Sequence, residues 1–586
     1  MNSLDQKIFL SFLAAVFLSL LSLMPQIMHQ TNGFSGSAIV HDDEFIALAR
    51  IKRSIQSEQS VCNHATFEGR NSDCFFPDSS HRLLGFIAKS LDLTPEQMTI
   101  IARPFLTLML FSLLLAIFLS LEVKFGFAYF SALLCFLSPS AWYFKPLLSW
   151  LTGDYIFAFN HFTIPLVPLF VHLLTTLLIL SVLFSDNKKI KSSLTAIATF
   201  GILFYLPFAF WIHLTLSLFV IIFVLRSRKS LKTLSFVLFF SLLFGIPSLI
   251  SFVHLTKDPQ FTWVMWRNGL GLNDHSSYLL YGKSMWLMFL MSFSLFKNDH
   301  PIPSDKRKII GSLYFSAFFL YLSPLLLGKT FLNVHFKYLL VPFSMLIAAQ
   351  FFQYLFFKFD HKIPKLNWKM SSRTSTAMAI VLFIFGIGIN ASLRFYGESE
   401  RLVSNQYIED VRSVLNNLMP ELSSDNVFLA NDKIMNIIPM VYGKRILRDS
   451  ATEISPNIDL LERHFFQWKF MGLTGTGLRD YINENYTLEH WTLGLDQKME
   501  ELVQSQHFKD PRGVFKEQLL ESLVMSFETK TDIDWQKLLY SYRIDYLVVT
   551  DKDQWDIPLI SRYFKIDEVW SQNDIKIYKL FPTRPQ

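Results

Sequence analysis

From Leu194 to Leu225 the chain reads LTAIATFGILFYLPFAFWIHLTLSLFVIIFVL, 32 residues without a charge. As a single helix it would be about 48 Å long, well beyond a hydrocarbon core about 30 Å thick. Pro207 falls near its middle, ahead of Trp211 and His213, and a proline inside a helix removes a backbone bond and clashes with the preceding turn. The run therefore predicts two membrane helices joined by a tight turn. The whole chain agrees with this reading: of 586 residues, 51% are hydrophobic and 17% charged, with 60 Phe and a mean hydropathy of +0.31. That is too apolar for a water-soluble core.

Working outward, further apolar runs cover Ile8 to Met24, Phe105 to Leu121, Phe125 to Leu137, Phe162 to Phe184, Leu234 to Val253, Met285 to Phe296, Ile309 to Leu327, Tyr338 to Phe356 and Ala377 to Ile389. With the split run they predict an α-helical polytopic membrane protein of about 11 spans. Lys and Arg alternate along the connections. Lys7, Lys124, Lys188, Arg226, Lys306 and Lys358 mark segments holding about 18 basic residues, against about six in the intervening short loops. Basic residues collect on the cytoplasmic side, so the pattern predicts a cytoplasmic N-terminus and an extracytoplasmic C-terminus. The formal charge of +6 then reports membrane orientation, and no nucleic-acid partner is expected. Met24, Pro25 and Gln26 lack the small-residue cleavage pattern, so the first run is read as a retained anchor.

Two large polar pieces lie outside on this reading: a first loop of about 25–104, and a segment of 394–586 following the membrane module of 1–393. The second is charged and predicts a small α/β domain. Helical periodicity covers Asn405 to Leu418 and Trp535 to Tyr542, and Asn426 to Ala430, Tyr546 to Thr550 and Ile575 to Leu580 read as strands. Cys62 and Cys74 share the first loop and Cys135 an apolar run. In an oxidising compartment a Cys62 to Cys74 bridge would restrain the loop by about 3 kcal/mol. Two unrelated thiols are the other reading.

The chemistry concentrates at His41, Asp42, Asp43 and Glu44, ahead of the amphipathic Phe45, Ile46, Ala47, Leu48, Ala49, Arg50. Carboxylates there can cap a helix N-terminus, worth about 0.5 to 2 kcal/mol. They can equally supply a general base at the membrane surface, where apolar surroundings raise basicity. One acid can cap while its neighbour faces a cavity.

A first span followed by an outside loop that opens with Asp43, Glu44 and a short amphipathic helix resembles the GT-C superfamily of integral-membrane glycosyltransferases, in its protein mannosyltransferase and aminoarabinose transferase branches. Val334, His335, Phe336, Lys337, Tyr338, Leu339, Leu340, Val341, Pro342 is similar to the basic-Tyr-x-x-x-Pro segment that opens a late span there. The resemblance implies transfer of a hexosyl or pentosyl unit from a polyprenyl-phosphate-linked donor to a lipid, glycan or protein acceptor, outside a bacterial inner membrane. It implies Asp43 as general base, with Glu44 or Asp42 orienting it or the acceptor. His335 and Lys337, beside Tyr338, would hold the donor phosphate; a snorkelling anchor is the other reading of Lys337. The aminoarabinose transferases carry a Lys-Pro-Pro segment after the acidic pair. Here Phe76, Pro77, Asp78, Ser79, Ser80, His81, Arg82 stands instead, leaving His81 and Arg82 as substitutes.

Two aromatic outside loops could complete a cleft: Trp142 to His161, with Asp154 and His161, and Phe261 to His275, with Arg267 as a further phosphate candidate. An interfacial aromatic belt explains the composition as well. No Cys and His spacing suggests zinc, and no cofactor is expected. A divalent cation at Asp42, Asp43 and Asp154 stays open by analogy, since some relatives use one and others do not. Gly475, Thr476, Gly477 lacks the third glycine of a dinucleotide site and reads as a turn. The rival functions are a lipid or polysaccharide transporter and a non-catalytic scaffold. Spans nearly free of ionisable groups, apart from His172 and His213, argue against an ion-coupled carrier.

Overall fold

The computed structural model describes residues 3–31, 43–56, 79–137, 166–184, 189–225, 228–257, 283–323, 333–362, 409, 411–416, 419, 422–447, 457–485, 514–551, 553–572 and 575–583. The membrane part is built from α1 (Ser3–Thr31), α2 (Asp43–Ile55), α3 (Ser79–Ser90), α4 (Pro95–Ser120), α5 (Phe125–Leu137), α6 (Val167–Phe184), α7 (Lys189–Leu203), α8 (Phe208–Leu225), α9 (Arg228–Leu255), α10 (Lys283–Ser292), α11 (Ser304–Tyr321) and α12 (Asn333–Lys362). Among the described residues five helices are long and apolar enough to cross a membrane: α4, α6, α8, Leu231–Leu255 of α9 and Tyr338–Phe359 of α12. Their exposed side chains include Phe219, Phe223, Phe239 and Phe244, which is what a hydrocarbon solvent requires. The chain is an integral membrane protein. The expected run Ala377 to Ile389 lies outside the described residues.

The apolar stretch around Pro207 breaks as its length demands. Helix α7 ends at Leu203, a turn covers 204–207, and α8 begins at Phe208. Packing of α7 on α9 is reciprocal. A Cβ at Gly245 would lie 2.5 Å from Phe204 Cγ, and one at Gly201 would lie 2.8 Å from Phe244 Cβ. Each glycine leaves the space that the other helix's phenylalanine fills. Deeper in the bundle, His172 Nε2 is 2.9 Å from His213 Nδ1, and His213 Nε2 is 3.0 Å from the Leu313 carbonyl. A carbonyl only accepts, so His213 donates through Nε2, accepts at Nδ1, and His172 donates to it.

Polar contacts sort the helix ends. The Lys124 amide donates to Gln353 Oε1 at 2.7 Å, Lys306 Nζ lies 2.6 Å from Glu122 Oε1, and the Lys7 ammonium sits 5.8 Å from the Phe125 ring. His300 closes the same end through Gln350 Oε1 at 2.8 Å and the Ile302 amide at 3.0 Å. From Gln353 back to Asn333, α12 runs about 30 Å at the usual helical rise, and α4 runs about 38 Å from Leu121 back to Pro95. The starts of α4 and α12 therefore share the opposite end of the bundle.

Beyond the membrane part lies a sheet ordered β2-β1-β3-β5-β4, from β1 (Val427–Leu429), β2 (Arg445–Ile446), β3 (Tyr546–Thr550), β4 (Phe564–Gln572) and β5 (Ile575–Pro582). The first three strands are parallel, with Phe428 opposite both Ile446 and Tyr546; β5 and β4 add antiparallel. Alternate residues enter two cores. Val427, Leu429 and Leu547 pack with Phe465, Trp468 and Trp535, whereas Phe428, Tyr546 and Val548 pack with Leu415, Ile434 and Ile438. Helices on both faces are what a parallel sheet needs. The expected turn at Gly475 is instead the first turn of a helix, Gly475–Asn485, because the Gly475 amide, at φ 50°, is held by Glu528 Oε1 at 2.6 Å.

Candidate functional site

Asp43 and Glu44 are the first two residues of α2. A helix start favours ionised carboxylates through its exposed amides and dipole. Helix α2 is then enclosed: Ala47, Leu48, Ala49 and Ile51 are all buried. It packs on α3, on the start of α4, and on the turn Ile438–Tyr442 that precedes β2.

Enclosure extends to its basic residues. Arg50 and Arg53, one helical turn apart, are 5% and 0% exposed, and Arg53 Nη2 donates to the Lys444 carbonyl at 3.2 Å. Burial lowers the pKa of Lys444, and the neighbouring Arg53 and Lys52 lower it further. Burial also lowers that of Lys52, with Glu96 opposing. Arg103, near the start of α4, is buried as well. The junction of α2, α4 and the β2 approach thus gathers buried basic side chains, with the Glu96 and Glu409 carboxylates beside them.

His81, on α3, is 2% exposed. Its pKa is held well below the ordinary value, first by burial and then by Arg50, so it is neutral at pH 7 and offers no cation to a phosphate. Arg82 occupies the exposed face of the same helix. The structure therefore does not bring His81 and Arg82 together. His335 and Lys337 fall within the first turns of α12, at the end of the bundle shared with α2, and a helix N-terminus adds its own positive potential there. Tyr338 is buried. Asp42, Cys62, Cys74, Asp154, His161 and Arg267 lie outside the described residues. No group of three or more His, Cys, Asp or Glu that could hold a metal occurs among the described residues.

Sequence reasoning missed Arg50, Arg53, Arg103 and Lys444. One signal was available: Ala47, Arg50 and Arg53 recur at every third position of α2, on the side where Ala47 is apolar.

No protein-family model matches the chain, and no curated protein matches it. Among solved structures it is similar to ArnT from Cupriavidus metallidurans bound to undecaprenyl phosphate, with a TM-score of 0.49 and 10% identity over 98% of this chain and 97% of that one. The apo state of that protein gives the same TM-score and identity over 99% and 98%. It is also similar to the Archaeoglobus fulgidus oligosaccharyltransferase tethered with an acceptor peptide, with a TM-score of 0.47 and 11% identity over 99% of this chain and 74% of that one.

Proposed function

We propose that the chain is a membrane glycosyltransferase that moves a hexosyl or pentosyl unit from a polyprenyl-phosphate-linked donor to an acceptor hydroxyl. The observation that carries this reading is the placement of α2, opening with Asp43 and Glu44, at the same end of the bundle as the start of α12 with His335 and Lys337. The basic residues at the other end fit a cytoplasmic N-terminus, with α2 and the α/β segment outside.

In the reaction, Asp43 accepts the acceptor hydroxyl proton as the oxygen attacks the anomeric carbon. The bond from that carbon to the phosphate oxygen breaks, and polyprenyl phosphate leaves with the electron pair. A phosphate is already a competent leaving group, so cations that hold its charge matter more than a strong acid. His335, Lys337 and Arg267 are assigned that task, and Glu44 or Asp42 orients the base. The α/β segment braces α2 and presents the acceptor.

The test is Asp43→Asn in the full chain, reconstituted with polyprenyl-phosphate sugars, reading release of free polyprenyl phosphate. A loss of 10² to 10⁴ in rate is expected for a general base, with expression and melting temperature unchanged. Undiminished transfer would overturn the assignment of the base. An absence of transfer by the unmodified chain with hexosyl and pentosyl donors would favour a transporter or scaffold.

A further inference from the structure

Helix α3 is pressed onto α2 so tightly that a Cβ on Gly85 would lie 2.4 Å from Ser54 Cβ. Its inner face is made of Ser80, His81, Leu84, Gly85 and Ala88. Its outer face is not one that water would select. Leu83 is 50% exposed, Phe86 69%, and Leu91, just past the helix, 63%. At 100° per residue, Arg82 and Lys89 border Phe86 on one edge of this arc, and both are exposed.

The angle of α3 is fixed. Leu93 N donates to Ala88 O at 2.8 Å across Asp92, which takes a φ of 52°, the left-handed closure usual after a helix. Thr94 and Gln97 then form a capping box that starts α4 at once. Ile101 and Phe105 of α4 are 53% and 55% exposed on a helix apolar enough to cross a membrane. Ile101 lies about 9 Å along α4 from Pro95, and only Leu91 to Thr94 separate α3 from that helix. An exposed apolar arc edged by basic residues, next to the start of a helix apolar enough to cross a membrane, is the pattern of an interfacial helix.

We propose that α3 is an interfacial helix that docks on the bilayer surface and selects anionic phospholipid headgroups through Arg82 and Lys89, with Leu83, Phe86 and Leu91 inserted below them. The proposal is independent of the glycosyltransferase reading. It ties lipid composition to the position of α2, because α3 touches lipid on one face and α2 on the other.

To test it, p-benzoylphenylalanine is placed at Phe86 in the full chain and photolysed in nanodiscs of equimolar phosphatidylglycerol and phosphatidylcholine. Lipid adducts are counted by mass spectrometry. Each basic residue at a charged surface is worth about fivefold, so phosphatidylglycerol adducts should exceed phosphatidylcholine adducts by at least that factor. The ratio should fall to near parity in Arg82→Gln/Lys89→Gln, with phosphatidylcholine adducts at Phe86 retained. Equal adducts from the unmodified basic pair would overturn the selection. Adducts to protein would mean that α3 is covered by another segment. Enrichment only of added polyprenyl phosphate would replace the surface by a carrier-lipid site and also overturn it.

Discussion

Arg412 Nη2 lies 2.6 Å from Glu96 Oε1, joining the first turn of α4 to the segment that precedes the sheet. Arg412 Nη1 lies 2.9 Å from Glu409 Oε1, and the Arg412 side chain is 5% exposed. One guanidinium therefore bridges two shielded carboxylates and ties the α/β segment to the start of α4. Arg412→Ala leaves Glu96 and Glu409 without it, and breaking a buried pair typically costs about 3 to 5 kcal/mol. Proteolysis should release the α/β segment faster in Arg412→Ala, whereas Arg412→Lys should show an intermediate rate. Equal resistance in all three proteins would show that this contact does not hold the segment.

A second link is steric. Gly443 has φ 61°, and a Cβ on it would lie 2.7 Å from Gln56 Nε2. Gly443→Ala combines a left-handed backbone cost of about 1 to 2 kcal/mol with that clash. Gln56→Ala removes the clash and keeps the backbone cost, so the double variant should be more stable than Gly443→Ala alone. Gln56 is exposed and only the far end of its side chain meets that Cβ, so a double-mutant cycle in thermal melts should give a coupling at the low end of about 0.5 to 3 kcal/mol. A coupling of zero would mean that the α2 terminus yields freely.

Part of this arrangement was legible in the sequence. Strand β3 and the β5 core were readable because their alternating Tyr546, Leu547, Val548 and Ile575, Ile577 supply both faces of a covered sheet. Strand β4, Phe564–Gln572, was not, since its polar Lys565, Asp567 and Glu568 sit on an edge that water reaches. The acidic start of α2 was readable as a helix beginning. The burial of Arg53 was not, because the carbonyl that covers it belongs to Lys444, 391 positions further on. A window of local sequence contains no trace of such a partner.

The buried histidines give a pH dependence with a definite sign. Folding lowers the pKa of His81, and of His300 through burial, opposed by its Gln350 bond. The unfolded chain takes up protons near pH 6.5 while the folded chain does not. Stability is thus complete above that pH, and falls as pH drops toward the depressed folded values. The slope contributed by His81 reaches about 1.4 kcal/mol per pH unit. Melting temperatures from pH 7.5 to 5 should fall for the unmodified chain and fall less steeply for His81→Gln. Parallel curves would mean that His81 titrates normally in the fold.

The His172 and His213 pair is a polar link in an apolar bundle, and its value is set by what remains when it is cut. In His213→Ala the Leu313 carbonyl keeps only its intrahelical bond and His172 Nε2 loses its acceptor, in a region with 0% exposure at either ring. Each unsatisfied buried group costs about 1 to 3 kcal/mol. His213→Ala should therefore destabilise by about 1 to 3 kcal/mol. In the double variant His172→Phe/His213→Phe neither ring nitrogen remains, the Leu313 carbonyl keeps its bond within the helix Ser304–Tyr321, and Phe210 and Phe343 already line the site, so part of the loss should return. If the double variant instead loses as much as both single changes added together, the pair serves a purpose other than joining α6 to α8.

Reciprocal packing of α7 and α9 makes the sharpest steric prediction. Gly245 has Phe204 Cγ at 2.5 Å from its would-be Cβ, with the Phe204 ring stacked on Phe200 and Trp211 at centroid distances of 5.5 and 5.1 Å. The ring has no empty direction in which to retreat. Adding a methyl by Gly245→Ala should cost about 1 to 3 kcal/mol through overpacking, although alanine is the better helix former by about 1 kcal/mol. Phe204→Leu opens space beside Gly245, so Gly245→Ala in that background should become neutral or stabilising in melts of the reconstituted protein. Destabilisation of equal size in both backgrounds would place the strain elsewhere on α9.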